Sequence, residues 1–358
     1  MPDTDEEGED EDREPRAILE RTNRMPPGVF YDVTKDALCC PDCDSRYDPE
    51  IGGMRRAIEC CDPPAEIDPD DVPVCACPLP LDEDDIEESD CSYTQLLFLQ
   101  AVYKAMQQHF ERLEYDIVWD SMLRLQEYVD IEDDAIDDLL DEGYLRKDCD
   151  HPHRLYTVTA DGRDAIGVTY REGVAHGHGK GDLGESSYHV MLVEATKRWL
   201  KQSRVEDPDS PVARVVPYFE LQEGGVDAAA FMGTDDEAAE QAAEEFASHR
   251  FDLVGLNGDG EVVLTLEAER VNHDLWRAAP DDYDKMAACK PDEAIWVVPT
   301  QKAGHEILQA LNDPADGESR VEKTYAETTP TQQFRIDEPG FTAMYPVSWV
   351  QNQLESDE

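Results

Sequence analysis

The sequence predicts an α+β chain of several small domains, and three observations predict it. Eight of the ten cysteines fall between Cys39 and Cys91, a helix-periodic stretch fills the middle, and the remainder alternates apolar strand-like runs with helical ones. A chain of 358 residues has room for two or three domains at roughly 100–200 residues each. Composition sets the expected boundaries: an acidic disordered tail over 1–25, a Cys-rich module over 26–91, a helical unit over 92–168, a Gly/His linker over 169–187, and an α/β domain with a central mixed sheet over 188–358.

The tail, MPDTDEEGEDEDREP, is acidic where a signal peptide needs a basic start and an apolar core. No window reaches the 18 or so apolar residues of a membrane span, because Gln100 interrupts the best run near Leu96–Tyr103. A cytoplasmic protein without membrane contact is therefore expected. The charge is extreme, with 84 Asp+Glu against 31 Lys+Arg and a net −53. This excludes a basic nucleic-acid coat and a polybasic membrane binder, but not DNA contact through a small local patch. The surplus is spread along the whole chain and resembles the adaptation of cytosolic proteins from halophilic archaea. In about 1 M salt the Debye length is about 3 Å, so neighbouring carboxylates hardly repel.

In a reducing cytosol the cysteine cluster reads as metal ligands sooner than as disulfides. Cys40-Pro-Asp-Cys43 has the C-x2-C spacing that aims two thiolates at one tetrahedral zinc. The second pair comes either from Cys75 and Cys77 or from the Cys60–Cys61 doublet. The Pro- and Asp-rich stretch between them builds no core, so a structural zinc is expected to stand in for one.

From Ser92 the apolar residues Leu99, Val102, Met106 and Phe110 recur at helical spacing, predicting a helix of about 18 residues. A shorter helix turns Met122, Leu123 and Leu125 inward. Asp130 is the expected N-cap of a third helix whose apolar face is Ile131, Ala135, Ile136, Leu139 and Leu140, ending at Gly143. An extended run from Arg154 to Thr159 and a capped helix over 160–167 follow. This order, ending LLDEGYLR…HRLYTVTADGRDAIG, resembles the winged helix-turn-helix family over residues 92–168. The resemblance implies a third helix in the DNA major groove and a wing on phosphate, with Arg146, Lys147, His151, His153 and Arg154 as the wing's contacts. The helix over 131–142 departs from that pattern. It carries Glu132, Asp133, Asp134, Asp137, Asp138, Asp141 and Glu142 with no Lys or Arg, and would repel phosphate, so a protein partner there is the alternative.

The linker holds His176-Gly-His178-Gly-Lys180-Gly, read as a solvated hinge. Beyond it, Phe251–Leu256 and Glu261–Glu269 flank Asn257-Gly-Asp-Gly260, a β-hairpin signal. Alternation puts Glu267 and Glu269 on one strand face, and the hairpin brings Asp252 beside Glu267. Two carboxylates there make an oxygen-rich site for Mg²⁺ or Mn²⁺. A helix over Ala303–Leu311 and strand-like pieces TQQFRI and FTAMYPVSWV complete the chain.

The hairpin resembles the restriction-endonuclease-like superfamily, whose motif is Asp followed by (Asp/Glu)-x-Lys. The resemblance covers about residues 186–312 and implies that Asp252 and Glu267 hold the metal, with Glu194 on the preceding helix as a further carboxylate. Glu269 stands where the motif has its lysine, and Lys285 on the next helix is the expected substitute. A weaker similarity links the whole to replication-relaxation proteins of mobile elements. The expected function is DNA processing for a mobile element or replicon, with a Mg/Mn-dependent nuclease domain. The competing expectation is a non-enzymatic winged-helix regulator or adaptor on an inactive scaffold.

Overall fold

The computed structural model describes residues 25–61 (apart from 27, 33, 36 and 50), 63, 67, 72, 79–168, 185–220, 250–269 and 274–356. Cys75, Cys77, His176 and His178, most of the expected tail and most of the expected linker lie outside the described residues. The chain divides into two compact units, Met1–Thr169 and Tyr170–Glu358.

In the first unit, β1 (Phe30–Asp32), β2 (Ala37–Cys39) and β3 (Arg46–Tyr47) form an antiparallel sheet followed by α1 (Ile51–Ile58). Its core is small, six buried residues from Val29 to Val72 that include Leu38 and Met54. After α2 (Glu83–Glu88) come α3 (Tyr93–Met106), α4 (Leu123–Val129) and α5 (Asp133–Asp141), then the hairpin β4 (Leu145–Cys149) and β5 (Leu155–Val158), and α6 (Ala160–Ala165).

Ser92 and Gln95 form a capping box at the start of α3. The helix ends four residues before the expected Phe110, because Gln108 takes a left-handed backbone (φ 53°) that cannot continue it. Asp130 is likewise left-handed (φ 55°) and closes α4, so the N-cap of α5 is Glu132 and not Asp130. Leu123 faces solvent, whereas Met122 and Leu125 are buried as expected. Gly143 (φ 82°) follows the C-cap of α5. Gly162 is required by close approach, since a β-carbon there would lie 2.1 Å from the Tyr144 carbonyl oxygen.

The second unit is three-layered around a five-stranded mixed sheet. Its strands are β6 (Arg214–Glu220), β7 (Arg250–Leu256), β8 (Val262–Ala268), β9 (Glu293–Val298) and β10 (Ala343–Pro346), in the order β10-β9-β8-β7-β6. The β6–β7 and β7–β8 pairs are antiparallel, and the β8–β9 and β9–β10 pairs are parallel. Asn257 caps the β7–β8 turn by accepting from the amides of Asp259 and Glu261 at 3.0 and 2.9 Å.

Parallel neighbours need crossovers. α8 (Leu275–Ala288) joins β8 to β9, and α9 (Gln301–Asn312) follows β9. These two helices cover one sheet face, burying Trp296, Phe341, Met286 and Ile307. α7 (Ser187–Leu200) and α10 (Val347–Ser356) pack together, with α7 against the sheet. TQQFRI is not a strand: Thr331–Gln333 is a 3₁₀ turn that buries Thr331, Phe334 and Ile336. The later piece supplies the edge strand β10 and then turns helical at Val347.

Candidate metal centre and strand-end charge cluster

Four of the candidate cysteines meet. β2 delivers Cys40 into a tight turn in which its amide donates to the Ser45 carbonyl at 3.0 Å and its own carbonyl accepts from Asp44 at 3.1 Å. The turn presents Cys43, and the end of α1 presents Cys60 and Cys61. The ligand atoms of Cys40, Cys43, Cys60 and Cys61 all lie within 4.8 Å of one another, with sulfur–sulfur separations of 3.4 Å for Cys43–Cys60 and 3.8 Å for Cys60–Cys61. A tetrahedron with metal–sulfur bonds of about 2.3 Å has edges of about 3.8 Å, so the cluster is capable of coordinating a metal ion and suits structural zinc. Cys43 is already thiolate-prone. The Ser45 hydroxyl, 3.0 Å away, and the neighbouring thiols bring it down to about 6. Cys61 is pushed up to about 12 by Cys43, Cys60 and Cys40, because neighbouring thiols disfavour a further thiolate beside them. Cys39 and Cys91 are buried elsewhere.

In the second unit the sequence candidates Asp252, Glu267, Glu269 and Lys285 gather at one end of the sheet. The β7–β8 register ends at Leu253–Leu266, and beyond it the Ala268 amide donates to Asp252 Oδ2 at 2.8 Å. The other oxygen, Oδ1, faces His189 Nε2 at 3.0 Å, one turn into α7. Burial opposes ionisation of Asp252, but His189, this amide and Lys285 hold it down at about 2. Burial likewise disfavours the imidazolium of His189, and Asp252, Glu185 and Glu269 outweigh it to raise the ring to about 9.

Glu267 and Glu269 both meet α8, as residues two apart on a strand should. Lys285 Nζ stands 2.7 Å from Glu267 Oε1, donates to Asp282 at 2.8 Å and to the Arg250 carbonyl at 3.1 Å. The Glu267 contact is an ion pair without hydrogen-bond alignment at Oε1. Burial, Asp252 and Asp282 push the Glu267 carboxyl well up against the pull of Lys285. Glu269 Oε1 is buried with no partner, and burial, Asp282 and Asp252 push this carboxyl up to about 8.

Sequence reasoning passed over the surrounding cations and aromatics. Glu185 faces His189 at 3.5 Å and pairs with Arg250. The Arg250 guanidinium lies over the Tyr218 ring, 5.2 Å from its centroid. Five carboxyl groups (Asp252, Glu267, Glu269, Asp282 and Glu185) thus face three cations (His189, Lys285 and Arg250), and two of the five, Glu267 and Glu269, are pushed toward the protonated form. The one visible signal was Glu185 and His189 at i, i+4 on the opening turn of a helix. Glu194 does not join the site. Lys197 and Arg198, three and four residues on, take its oxygens at 2.5 and 2.9 Å. Among the described residues the cysteine quartet is the one group of three or more such ligands within 4.8 Å, so the strand-end acids are neighbours without forming a closed cage.

The wing candidates are placed on β4, β5 and their loop. Arg146 pairs with Asp148 at 3.1 Å, Lys147 with Asp150 at 2.7 Å, and Arg154 with Asp150 at 3.1 Å. The His153 ring is turned inward, its Nε2 at 3.1 Å from the Ile117 carbonyl, and burial lowers its basicity. Glu132, Asp133, Asp134, Asp137, Asp138, Asp141 and Glu142 are all exposed. Among the described residues no helix is long and apolar enough to cross a membrane. No family model matches the chain, and no curated protein or solved structure matches it either.

Proposed function

We propose that the chain is a DNA-processing protein. On this reading the second unit is a metal-dependent phosphodiesterase of the restriction-endonuclease-like type, and the first is a winged-helix unit organised on a zinc lobe. One observation carries the reading: the strand-end cluster has two more carboxyl groups than cations, and its Glu267 and Glu269 carboxyls are both pushed toward the protonated form, so that one divalent ion would take the place of two protons. The donors are carboxylate oxygens, which suit Mg²⁺ or Mn²⁺. Asp252, Glu267 and Glu269 would hold the ion, and the unpartnered Oε1 of Glu269 is the atom most in need of it. A bound ion would polarise a phosphoryl oxygen and make water a nucleophile near neutral pH. His189 fixes the Asp252 carboxylate, and Lys285 holds Glu267 from behind.

The test is cleavage of supercoiled and linear DNA in molar KCl with Mg²⁺ or Mn²⁺ by wild type, Asp252→Ala and Glu267→Ala. Cutting that disappears in both variants supports the reading; equal background cutting by all three rejects it. The adaptor reading has its own supporting observation, the prior neutralisation of Asp252 by His189 and of Glu267 by Lys285. It expects DNA or protein retention by the first unit without metal-dependent cutting.

A further inference from the structure

The strand-end site contains a second cation beside Asp252. Lys285 is nearly closed to solvent, with a side-chain exposure of 6%, and its ammonium is committed to Glu267, Asp282 and the Arg250 carbonyl. It neutralises the site from inside and offers little to a substrate. Arg250 is less deeply closed. It opens β7 two residues before Asp252, so their side chains leave the strand on the same face. Its side chain is 18% exposed, and its ion pair with Glu185 is at the same depth. A phosphate oxygen can therefore exchange for that carboxylate, and Glu185 retains His189 at 3.5 Å.

Below the guanidinium lies Tyr218, across from Asp252 between the pairs Pro217–Leu253 and Phe219–Phe251. Tyr218 has φ 50°, a left-handed backbone that is strained for a bulky aromatic residue, and it is 1% exposed with no partner for its hydroxyl. Strain of this kind persists where surrounding structure over-determines it, and it gathers at functional sites. Its result here is a flat aromatic floor that orients the Arg250 fork, a geometry suited to phosphate.

We propose that Arg250, seated on the Tyr218 ring beside Asp252, holds the phosphate of a phosphodiester substrate. Glu269 occupies the position where a motif lysine would otherwise carry that charge. The inference rests on the phosphodiesterase reading and assigns its substrate contact. Arg250 is a substrate-holding residue, Tyr218 and Glu185 are positioning residues, and no bond is made or broken by any of them.

The experiment uses the full chain in molar KCl. Binding of a short fluorescent DNA duplex is measured by anisotropy with Ca²⁺, and cleavage of the same duplex with Mn²⁺, for wild type, Arg250→Gln, Arg250→Lys and Tyr218→Leu. Loss of one charge-stabilising donor costs about 10²–10³ in rate, so Arg250→Gln should lose cleavage on that scale and bind at least several-fold more weakly. Arg250→Lys, which keeps the charge but loses the fork, should be intermediate. Tyr218→Leu removes the aromatic floor and should weaken binding and cleavage in the same direction as Arg250→Gln, and a circular-dichroism melt confirms that each variant is folded. Unchanged binding and cleavage in Arg250→Gln overturns the proposal and leaves the phosphodiesterase reading intact. Binding that depends on Arg250 without any cleavage supports the phosphate contact and sinks only the hydrolytic reading. Absence of binding and cleavage in the wild type overturns both.

Discussion

Glu269→Gln should flatten the pH dependence of stability on the weakly acidic side. The Glu269 carboxyl is pushed from its ordinary 4.5 to about 8 by burial, Asp282 and Asp252. A group raised in this way favours the folded state when protonated. Its contribution is complete below about 4.5 and drains away as pH rises through about 8. Three neighbours bear on the same curve. Glu267 is raised too and acts in the same direction. His189, raised from 6.5 to about 9, keeps its stabilisation below 6.5 and loses it as pH climbs through 9. Asp252, lowered from 3.8 to about 2, keeps its stabilisation above 3.8 and loses it as pH falls toward 2.

Between pH 4.5 and 6.5 both His189 and Asp252 are silent, so within the strand-end cluster Glu269 is read against Glu267 alone, and groups elsewhere cancel in the comparison of variant with wild type. One proton is worth about 1.4 kcal/mol per pH unit, so Glu269 accounts for at most about 3 kcal/mol across this window. The amide of Gln keeps the shape and carries no charge, so this share of the slope should vanish. Urea unfolding in molar KCl, followed by tryptophan fluorescence at a series of pH values, reads the slope directly. A saturating divalent ion should flatten the wild-type curve in the same window and leave the variant nearly unchanged. Coincident slopes for wild type and Glu269→Gln would refute the reasoning, because they would mean that this carboxyl is not held protonated by its surroundings.

Three further outcomes are expected. Lys285→Met strands the buried Glu267 and should destabilise the second unit by about 3–5 kcal/mol where that carboxyl is ionised; the loss should grow as pH rises and shrink as pH falls and the carboxyl takes up its proton, and a pH-independent loss would count against the ion pair. Cys43→Ser or Cys60→Ser should abolish stoichiometric zinc, measured by atomic emission, and expose residues 26–61 to protease while the second unit keeps its melt; full zinc content in both variants would reject the four-thiol site. In dilute buffer the wild type should lose its far-ultraviolet dichroism and regain it in molar KCl, because screening relieves its net −53; an unchanged melt from dilute to molar salt would rule this out.

How far the site was legible in sequence follows from how local each signal is. The β7–β8 hairpin was readable because Asn257-Gly-Asp-Gly260 dictates the turn between two apolar runs, and the turn then brings Asp252 up to Glu267. Lys285 was readable because one helix follows the hairpin and returns over it. His189 was not, because its partner lies 63 residues away and nothing in a helix start says which strand it will meet. Arg250 and Tyr218 were hidden for the same reason, and left-handed Tyr218 also violates local preference. The cysteines were a problem of choice: spacing marks Cys40 and Cys43, but only the return of α1 selects the Cys60–Cys61 doublet to join them. Errors at Phe110 and Asp130 share one cause, a left-handed residue other than glycine, at Gln108 and at Asp130 itself, which periodicity does not reveal.

The β4–β5 hairpin and the strand-end cluster treat their cations alike, and this bears on how such a chain would contact phosphate. Arg146, Lys147 and Arg154 are each held by an aspartate, and Arg250 by Glu185. With 84 acids to 31 bases, nearly every exposed cation will find a carboxylate nearby. A phosphate then replaces a carboxylate and does not meet a bare cation, so the electrostatic gain is a difference between two similar ion pairs. The salt response changes too. A basic protein releases about 0.9 counterion per phosphate neutralised, and its affinity falls steeply with salt. Here each carboxylate displaced takes up a cation from solution as the phosphate gives one up, so the two terms nearly cancel. Affinity becomes small per contact but almost indifferent to salt, and specificity must come from geometry such as a guanidinium fixed on an aromatic floor. A net charge of −53 is therefore compatible with a DNA-contacting chain, provided its cations are positioned rather than abundant.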